Sequence, residues 1–317
     1  MSGKAATAPA ERLASDRTRS EGSLSPVWAE AKLGSAEFRQ LADFIESHCG
    51  IRCPPGKRPM LEARLRRRLR ALGVRSFPEY CARVFGPPRD EAEIVHMINE
   101  VSTNKTDFFR EPQHFDILMK RVVPAIVAQR EPGRRKPLAI WSAACSTGEE
   151  VYTLAMVLES QAEKRDHLPY HIVGSDISTN VLSHAARAIY DERVIGPIPL
   201  DLRRRFLLRS KDRSSGRVRI VPELRKLVHF CRVNLLEEFA VDRTFGPYDV
   251  IFCRNVFIYF DRATQLDILH RFCTRLSPGG YVFLGHSDSI TGLDVPLTQV
   301  APTVYQKRAT HPPARAR

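Results

Sequence analysis

The residues best suited to chemistry each stand where an apolar run gives out: Glu149, Asp176, Asn234, and the pair Arg254-Asn255. In an open α/β sheet the carboxyl ends of the strands are where a ligand binds. The clearest corner is PLAIWSAACSTGEE, from Pro137 to Glu150. An apolar stretch of strand character ends in small residues, and an acid-headed helix, EEVYTLAMVLES, follows at once. A strand, a short loop and a helix N-terminus form the nucleotide-cradling turn of a doubly wound domain. This turn has a single glycine, Gly148, where a dinucleotide fingerprint wants three, and no Lys-Ser/Thr pair to hold a triphosphate. Glu149 stands where a phosphate would otherwise sit. The expected ligand is therefore cationic or hydroxyl-rich, and S-adenosylmethionine fits both descriptions.

Three further segments should converge on that corner. In VGSDIS, Asp176 ends a strand and can accept both hydroxyls of a ribose, or can serve the start of the helix near Ser178 as a cap. In CRVNLLEE, Asn234 offers a donor and an acceptor to a base edge, though an Asn after a strand is also ordinary turn chemistry. In YDVIFCRNVFIYF, Arg254 and Asn255 end a buried strand and must find partners, either a ligand or a buried salt bridge. Cys145 reads as a small packing residue. His48, Cys49 and Cys53 lie close together, but no second ligand pair follows at zinc spacing, so no metal is expected.

The elements that must position these groups can be read from periodicity. Residues 1–30 have little apolar content and read as a disordered tail, and 309–317 as a frayed one. Residues 31–100 are helical throughout, giving a small all-helical domain that contains a basic helix. Over 101–308, strands and helices alternate: strands at 138–143, 170–175, 228–233, 248–253 and 280–285, with helices at 149–160, 179–189 and 262–275. That order implies an α/β, doubly wound Rossmann-like domain with a mainly parallel sheet. Between about 191 and 227 the rhythm breaks, and RFLLRSKDRSSGRVRIVPEL reads as an inserted β-hairpin subdomain. No apolar run approaches the roughly 20 residues of a membrane span. The seven cysteines, an odd number, suit reduced thiols and a cytoplasmic location.

The net charge of +13 is unevenly placed. Between Lys57 and Arg75 the chain carries eight basic residues and one acid, Glu62, while Leu61, Leu65, Leu69 and Leu72 recur at helical spacing. This is an amphipathic helix whose outer face, with Arg64, Arg67 and Arg68, is either solvated or relieved by an acidic partner. Nucleic acid, anionic lipid and an acidic protein surface are the candidates. The helix has no aromatic stacking platforms, which weakens a single-strand nucleic-acid reading.

Taken together and in order, VSTNKTDFFRE, IWSAACSTGEEVYTLAM, SDISTNVL, VNLLE, FCRNVFIYFD and LSPGGYVFLGHSDS resemble the chemotaxis-receptor methyltransferases, the CheR family of protein-glutamate O-methyltransferases. With the basic helix, the resemblance covers about residues 35–307. It implies S-adenosylmethionine as cofactor and S-adenosylhomocysteine as product. It makes Asn104, Thr106, Arg110, Glu149, Asp176, Asn234, Leu235, Arg254 and Asn255 cofactor contacts, and it gives Arg110 and Tyr259 the task of positioning the reacting groups. It implies methyl-accepting chemotaxis receptors as partners, with an acidic helical methylation region held by Arg64, Arg67 and Arg68, and in some members a receptor C-terminal peptide docked on the β-subdomain. On this reading the protein is a monomer recruited from the cytoplasm to receptor arrays, and neither nucleic acid nor membrane insertion is expected.

The chemistry agrees with the residues. A glutamate, with a reference pKa near 4.3, is already ionised at neutral pH. It can attack a sulfonium methyl without a general base, so the enzyme need only align the atoms about 3 Å apart and exclude water. Two other readings share parts of the pattern. A methyltransferase acting on RNA or another acidic substrate would suit the pI of 9.7, but the Asn/Asp-Pro-Pro-aromatic signature is absent. A non-catalytic binding module would not need Asn104, Arg110, Glu149, Asp176 and Tyr259 together.

Overall fold

The computed structural model describes residues 30–130, 136–162, 168–238 and 246–308; the tails expected at either end fall outside the described residues, except for Glu30. Four helices open the chain: α1 (Ser35–Cys49), α2 (Arg58–Leu72), α3 (Phe77–Phe85) and α4 (Glu91–Val101). Ser76 and Asp90 accept the backbone N–H of Glu79 and Glu93, satisfying donors that the first turns of α3 and α4 leave open. Leu61, Leu65 and Leu69, spaced by four, form one fully buried stripe of α2. That stripe meets Leu41, Ile45, Phe77 and Met97 in a core separate from the rest of the protein.

The chain then runs as a loop to α5 (Gln113–Ile117), a π-helical turn (Leu118–Val122) and α6 (Val123–Ala128) before entering the sheet. The parallel strands are β1 (Leu138–Ala143), β2 (Tyr170–Asp176), β6 (Val228–Arg232), β7 (Tyr248–Cys253) and β8 (Leu276–Leu284), in spatial order β6-β2-β1-β7-β8. Every residue of β1 and β7 is buried, as expected of strands covered on both faces by helices. Alternate residues serve opposite cores: Ile140 belongs to one, Ala139 and Trp141 to the other. The helices on the faces include α7 (Glu149–Ala162), α8 (Thr179–Arg187) and α11 (Arg262–Arg275). Since β1 is flanked by β2 on one side and β7 on the other, the chain reverses its direction of growth there, and the carboxyl ends of β1 and β7 open a crevice.

The inserted subdomain is larger than a hairpin. Its strands β3 (Ile189–Asp191), β4 (Leu207–Arg209) and β5 (Arg217–Ile220) form an antiparallel sheet in the order β3-β5-β4, with α9 (Leu200–Phe206) and α10 (Pro222–Arg225) beside it. The helix expected to reach 189 stops at Arg187, because Ala188 turns left-handed at φ 55° and Ile189 pairs with Arg219. The last parallel strand starts earlier than expected, at Leu276, which pairs with Tyr248. Beyond it β9 (Leu297–Ala301) and β10 (Val304–Lys307) close the sheet edge in antiparallel fashion, a feature the sequence reading did not anticipate.

Candidate functional site

A cavity of about 280 Å³ lies in the crevice, between the strand ends and the helical domain. Ala144, Cys145 and Ser146 line it from the β1 loop, Asp176 and Ile177 from β2, and Val233, Asn234 and Leu235 from the end of β6. The turn after β7 supplies Arg254, Asn255, Ile258 and Tyr259; the linker from α4 supplies Asn104, Thr106 and Arg110; and Lys57 and Met60 close it from the helical side. Nine of the residues singled out from sequence are thus brought to one cavity: Asn104, Thr106, Arg110, Asp176, Asn234, Leu235, Arg254, Asn255 and Tyr259.

The β1 corner is built around Asp176. Its two carboxylate oxygens accept the N–H of Ser146 and of Ser178, each at 2.9 Å, so the carboxylate pins the small-residue loop and also holds the start of α8. The helix-start role is the one these bonds show, and each oxygen keeps a lone pair with which it could accept a hydroxyl from the cavity. Burial pushes its pKa above the ordinary aspartate value, with the Ser178 and Ser146 N–H groups pulling the other way. Ala144 and Ser146 both sit at positive φ, near 56° and 52°, a strained loop that the Asp176 clamp and the Ser146 hydroxyl on the Asn104 carbonyl hold in place. The single glycine has a structural role. Gly148 has φ 92°, and a Cβ there would lie 2.8 Å from the Ala185 Cβ, so α8 rather than a phosphate requires it.

Glu149 departs from its expected place. It does not line the cavity; its carboxylate accepts the Thr147 hydroxyl at 2.6 Å, and burial raises its pKa. Glu150 faces the cavity instead and accepts from the Ser142 hydroxyl and from Arg254 Nη1 at 3.1 Å. One step around a helix turns a side chain by about 100°, so two adjacent glutamates cannot share a face. The sequence reading placed Glu149 in the site, whereas Glu150 is the one that turns inward.

Arg254 borders the cavity, but its guanidinium is committed to protein partners. It donates to Glu111 Oε2, to Glu150 and to the Arg110 carbonyl, and its side chain is only 3% exposed. Of the two options the strand end offered, the buried salt bridge is the one formed. Burial alone would raise the pKa of Glu111, but the Arg254 charge and its hydrogen bonds reverse this and hold it below the ordinary glutamate value. Asn255, at φ 59°, donates from its side chain to Glu111 and from its backbone to Asp288. Asn234 spends its amide locally, donating to the His48 carbonyl and Glu237 and accepting from the Leu236 N–H. Its contribution to the cavity is thus not a free amide edge. Glu111, Glu150 and Asp288 are the residues sequence reasoning passed over; the available signal was a buried arginine that required carboxylates.

The basic helix is also reassigned. Arg64 donates to the Val101 and Ser102 carbonyls, and Arg68 forms a two-pronged pair with Glu93 that is almost wholly buried. Arg66 binds Glu62, and Arg67 binds Glu100 while keeping 66% of its side chain exposed. Two of the eight positive charges, Arg67 and Arg68, are met by acids on α4 that a window on α2 alone does not include, while Arg66 pairs with Glu62 on α2 itself and Arg64 spends its guanidinium on carbonyls. Of Arg64, Arg67 and Arg68, only Arg67 presents most of its side chain to solvent.

The comparisons with known proteins agree with this domain arrangement. Residues 104–305 match the family described as CheR methyltransferase, SAM binding domain, and residues 36–102 match the CheR methyltransferase, all-alpha domain. The chain belongs to the CheR methyltransferase family. Chemotaxis protein methyltransferase 2 of Pseudomonas aeruginosa is 40% identical over 283 residues, covering 89% of this chain and 97% of the relative. The chemotaxis protein methyltransferases of Klebsiella aerogenes and Escherichia coli are each 38% identical, covering 93% and 86% of this chain and 98% and 91% of their own. The all-helical domain followed by a Rossmann-like methyltransferase domain is the CheR arrangement, and the protein is an S-adenosylmethionine-dependent methyltransferase of chemotaxis. The donor set of the cavity suits that cofactor: a buried carboxylate at Asp176 for hydroxyls, apolar Ile177, Val233 and Leu235 for a purine face, and the cationic Arg110 for a carboxylate. No helix among the described residues is long and apolar enough to cross a membrane.

Proposed function

We propose that this enzyme methylates glutamate side-chain carboxylates of methyl-accepting chemotaxis receptors, giving glutamyl methyl esters. One observation carries the reading. Among the described residues lining the cavity there is no histidine, and burial raises the thiol of Cys49 to about 12 and that of Cys145 well above its ordinary value. A site without these usual bases suits a nucleophile that arrives deprotonated, as a glutamate does. S-adenosylmethionine supplies an electrophilic methyl on a sulfonium. Asp176 holds the hydroxylated end of the cofactor, Arg110 steers a carboxylate, Tyr259 orients the incoming oxygen, and Lys57 and Met60 keep water from the cavity.

The receptor is held outside the cavity. Arg67 offers an exposed guanidinium on α2 to an acidic helix. In the small sheet, β4 is an edge strand with Leu208 nearly half exposed, a place where an extended receptor peptide can add as a further strand. On this reading the enzyme works in the cytoplasm at receptor arrays. The pairing of Arg64, Arg66 and Arg68 within the protein removes much of the support for an RNA substrate.

The test is methyl transfer from radiolabelled S-adenosylmethionine to membranes carrying the organism's chemoreceptors, followed by mild alkali. Label on receptor that leaves as methanol supports the ester; base-stable label overturns it.

A further inference from the structure

Below the cavity, and not lining it, Glu111, His114 and His286 converge from the linker, from α5 and from the turn after β8. One donor atom from each lies within 4.8 Å of the other two. The His114 ring is 1% exposed, and its Nε2 is held 2.8 Å from Thr303 Oγ1. Its Nδ1 is buried without a hydrogen-bond partner and faces Glu111 Oε2 at 3.4 Å. His286 Nε2 approaches the same oxygen to 3.9 Å, from a side chain half open to solvent. In the tautomer whose Nε2 donates to Thr303, the Nδ1 lone pair faces the Glu111 carboxylate, so that two ligand atoms are turned toward one another as a bound cation would use them.

The surroundings also favour a cation. Around this point Glu111 and Glu150 share a single buried guanidinium, Arg254, and Asp288, close enough to Glu111 to feel its charge, has its Oδ1 buried without a partner. Tetrahedral zinc with bonds of about 2.0–2.1 Å has ligand–ligand edges of about 3.4 Å. The 3.4 Å edge from His114 to Glu111 already has that length, and the 3.9 Å edge to His286 closes with a small shift of an exposed ring. The contact of His114 Nε2 with Thr303 is the kind of outer hydrogen bond that orients a metal-bound imidazole.

We infer that Glu111, His114 and His286 form a binding site for a divalent transition-metal ion of the zinc type, with water in the fourth position on the solvent side. The ion takes no part in methyl transfer. It fixes the Glu111 carboxylate, which in turn orients Arg254 and Asn255 at the cavity wall.

The test uses the full chain, freed of metal by a chelator and titrated with Co2+, with the intensity of the visible ligand-field bands as readout and Zn2+ as competitor. The expected result is one tetrahedral Co2+ per chain, displaced by Zn2+, and a rise in Tm with Zn2+ that Mg2+ does not give. His286→Ala, a surface change, should weaken Co2+ binding at least tenfold and abolish the Tm rise. Cys53→Ser, which alters the separate cluster of His48, Cys49 and Cys53 in the helical domain, should leave both unchanged. Failure to bind Co2+ at micromolar to sub-millimolar concentration overturns the site. So does binding that survives His286→Ala or that disappears with Cys53→Ser.

Discussion

Arg254 and Glu150 meet at 3.1 Å, joining the end of β7 to the first turn of α7 across the switch point of the sheet. The same guanidinium reaches Glu111 on the linker, so one buried cation ties together three segments that border the cofactor cavity. Removing one partner of a buried pair leaves an uncompensated charge, which typically costs about 3–5 kcal/mol. Arg254→Ala should lower stability by about that much, and Glu111→Gln, which keeps shape and loses charge, by less. Denaturant unfolding of the two variants measures the difference; equal, small losses would show that the pair carries no such weight.

Asp176→Ala should weaken S-adenosylhomocysteine binding at least tenfold, because it removes the acceptor for hydroxyls and also frees the Ser146 loop. Charged hydrogen bonds are worth about 1.5–3 kcal/mol each. Titration calorimetry reads this directly, and unchanged affinity would remove Asp176 from the pocket assignment.

Arg67 and Arg68 are neighbours in sequence with opposite expected behaviour. Arg68→Ala strands the nearly buried Glu93 carboxylate and should cost about 3 kcal/mol or more of stability. Arg67→Glu should leave Tm almost unchanged, since exposed ion pairs contribute about 0–1 kcal/mol, while lowering kcat/KM for receptor with cofactor affinity intact. Receptor methylation at wild-type rate in Arg67→Glu would make the basic helix a solvated face.

Tyr259→Phe keeps the ring and removes the hydroxyl. Cofactor affinity should hold while kcat for receptor methylation falls by about tenfold to a hundredfold, as for loss of a positioning contact. A fall confined to cofactor binding would move Tyr259 out of the catalytic role.

The buried His114 predicts a pH dependence in metal-free protein. Its folded pKa, about 4, lies below the ordinary histidine value, so the unfolded chain binds more protons between that value and about 6.5. Its contribution to stability is full above pH 6.5 and is lost as pH falls toward 4. His114→Gln should flatten the stability profile in that window by up to about one proton, measured by urea unfolding from pH 7 to 4.5. An unchanged slope would assign the window to other groups.

The strand-and-helix alternation, the basic helix and the four motif-bearing strand ends were legible in sequence because each is a local pattern. Apolar runs such as LAIWSA and YDVIFC can only be buried strands when helices cover both faces, and capping residues such as Ser76 and Asp90 mark helix starts wherever they occur. Arg254 announced that it needed partners, but the identity of those partners depends on which chain segments pack together. Glu111 lies 143 residues away, and Glu150 104 residues away. Whether Glu149 or Glu150 faces the cavity was set by the phase in which α7 docks on the sheet, and the inward turn of Arg64 and Arg68 by the approach of α4. The short strand β3 escaped notice because three residues carry no periodicity; pairing with β5 alone makes them a strand. Local pattern thus determined the elements, the order of the motifs and the class of ligand. Tertiary packing decided which charges are spent on one another and which remain for a ligand, because a charge is neutralised by what lies near it in space rather than in sequence.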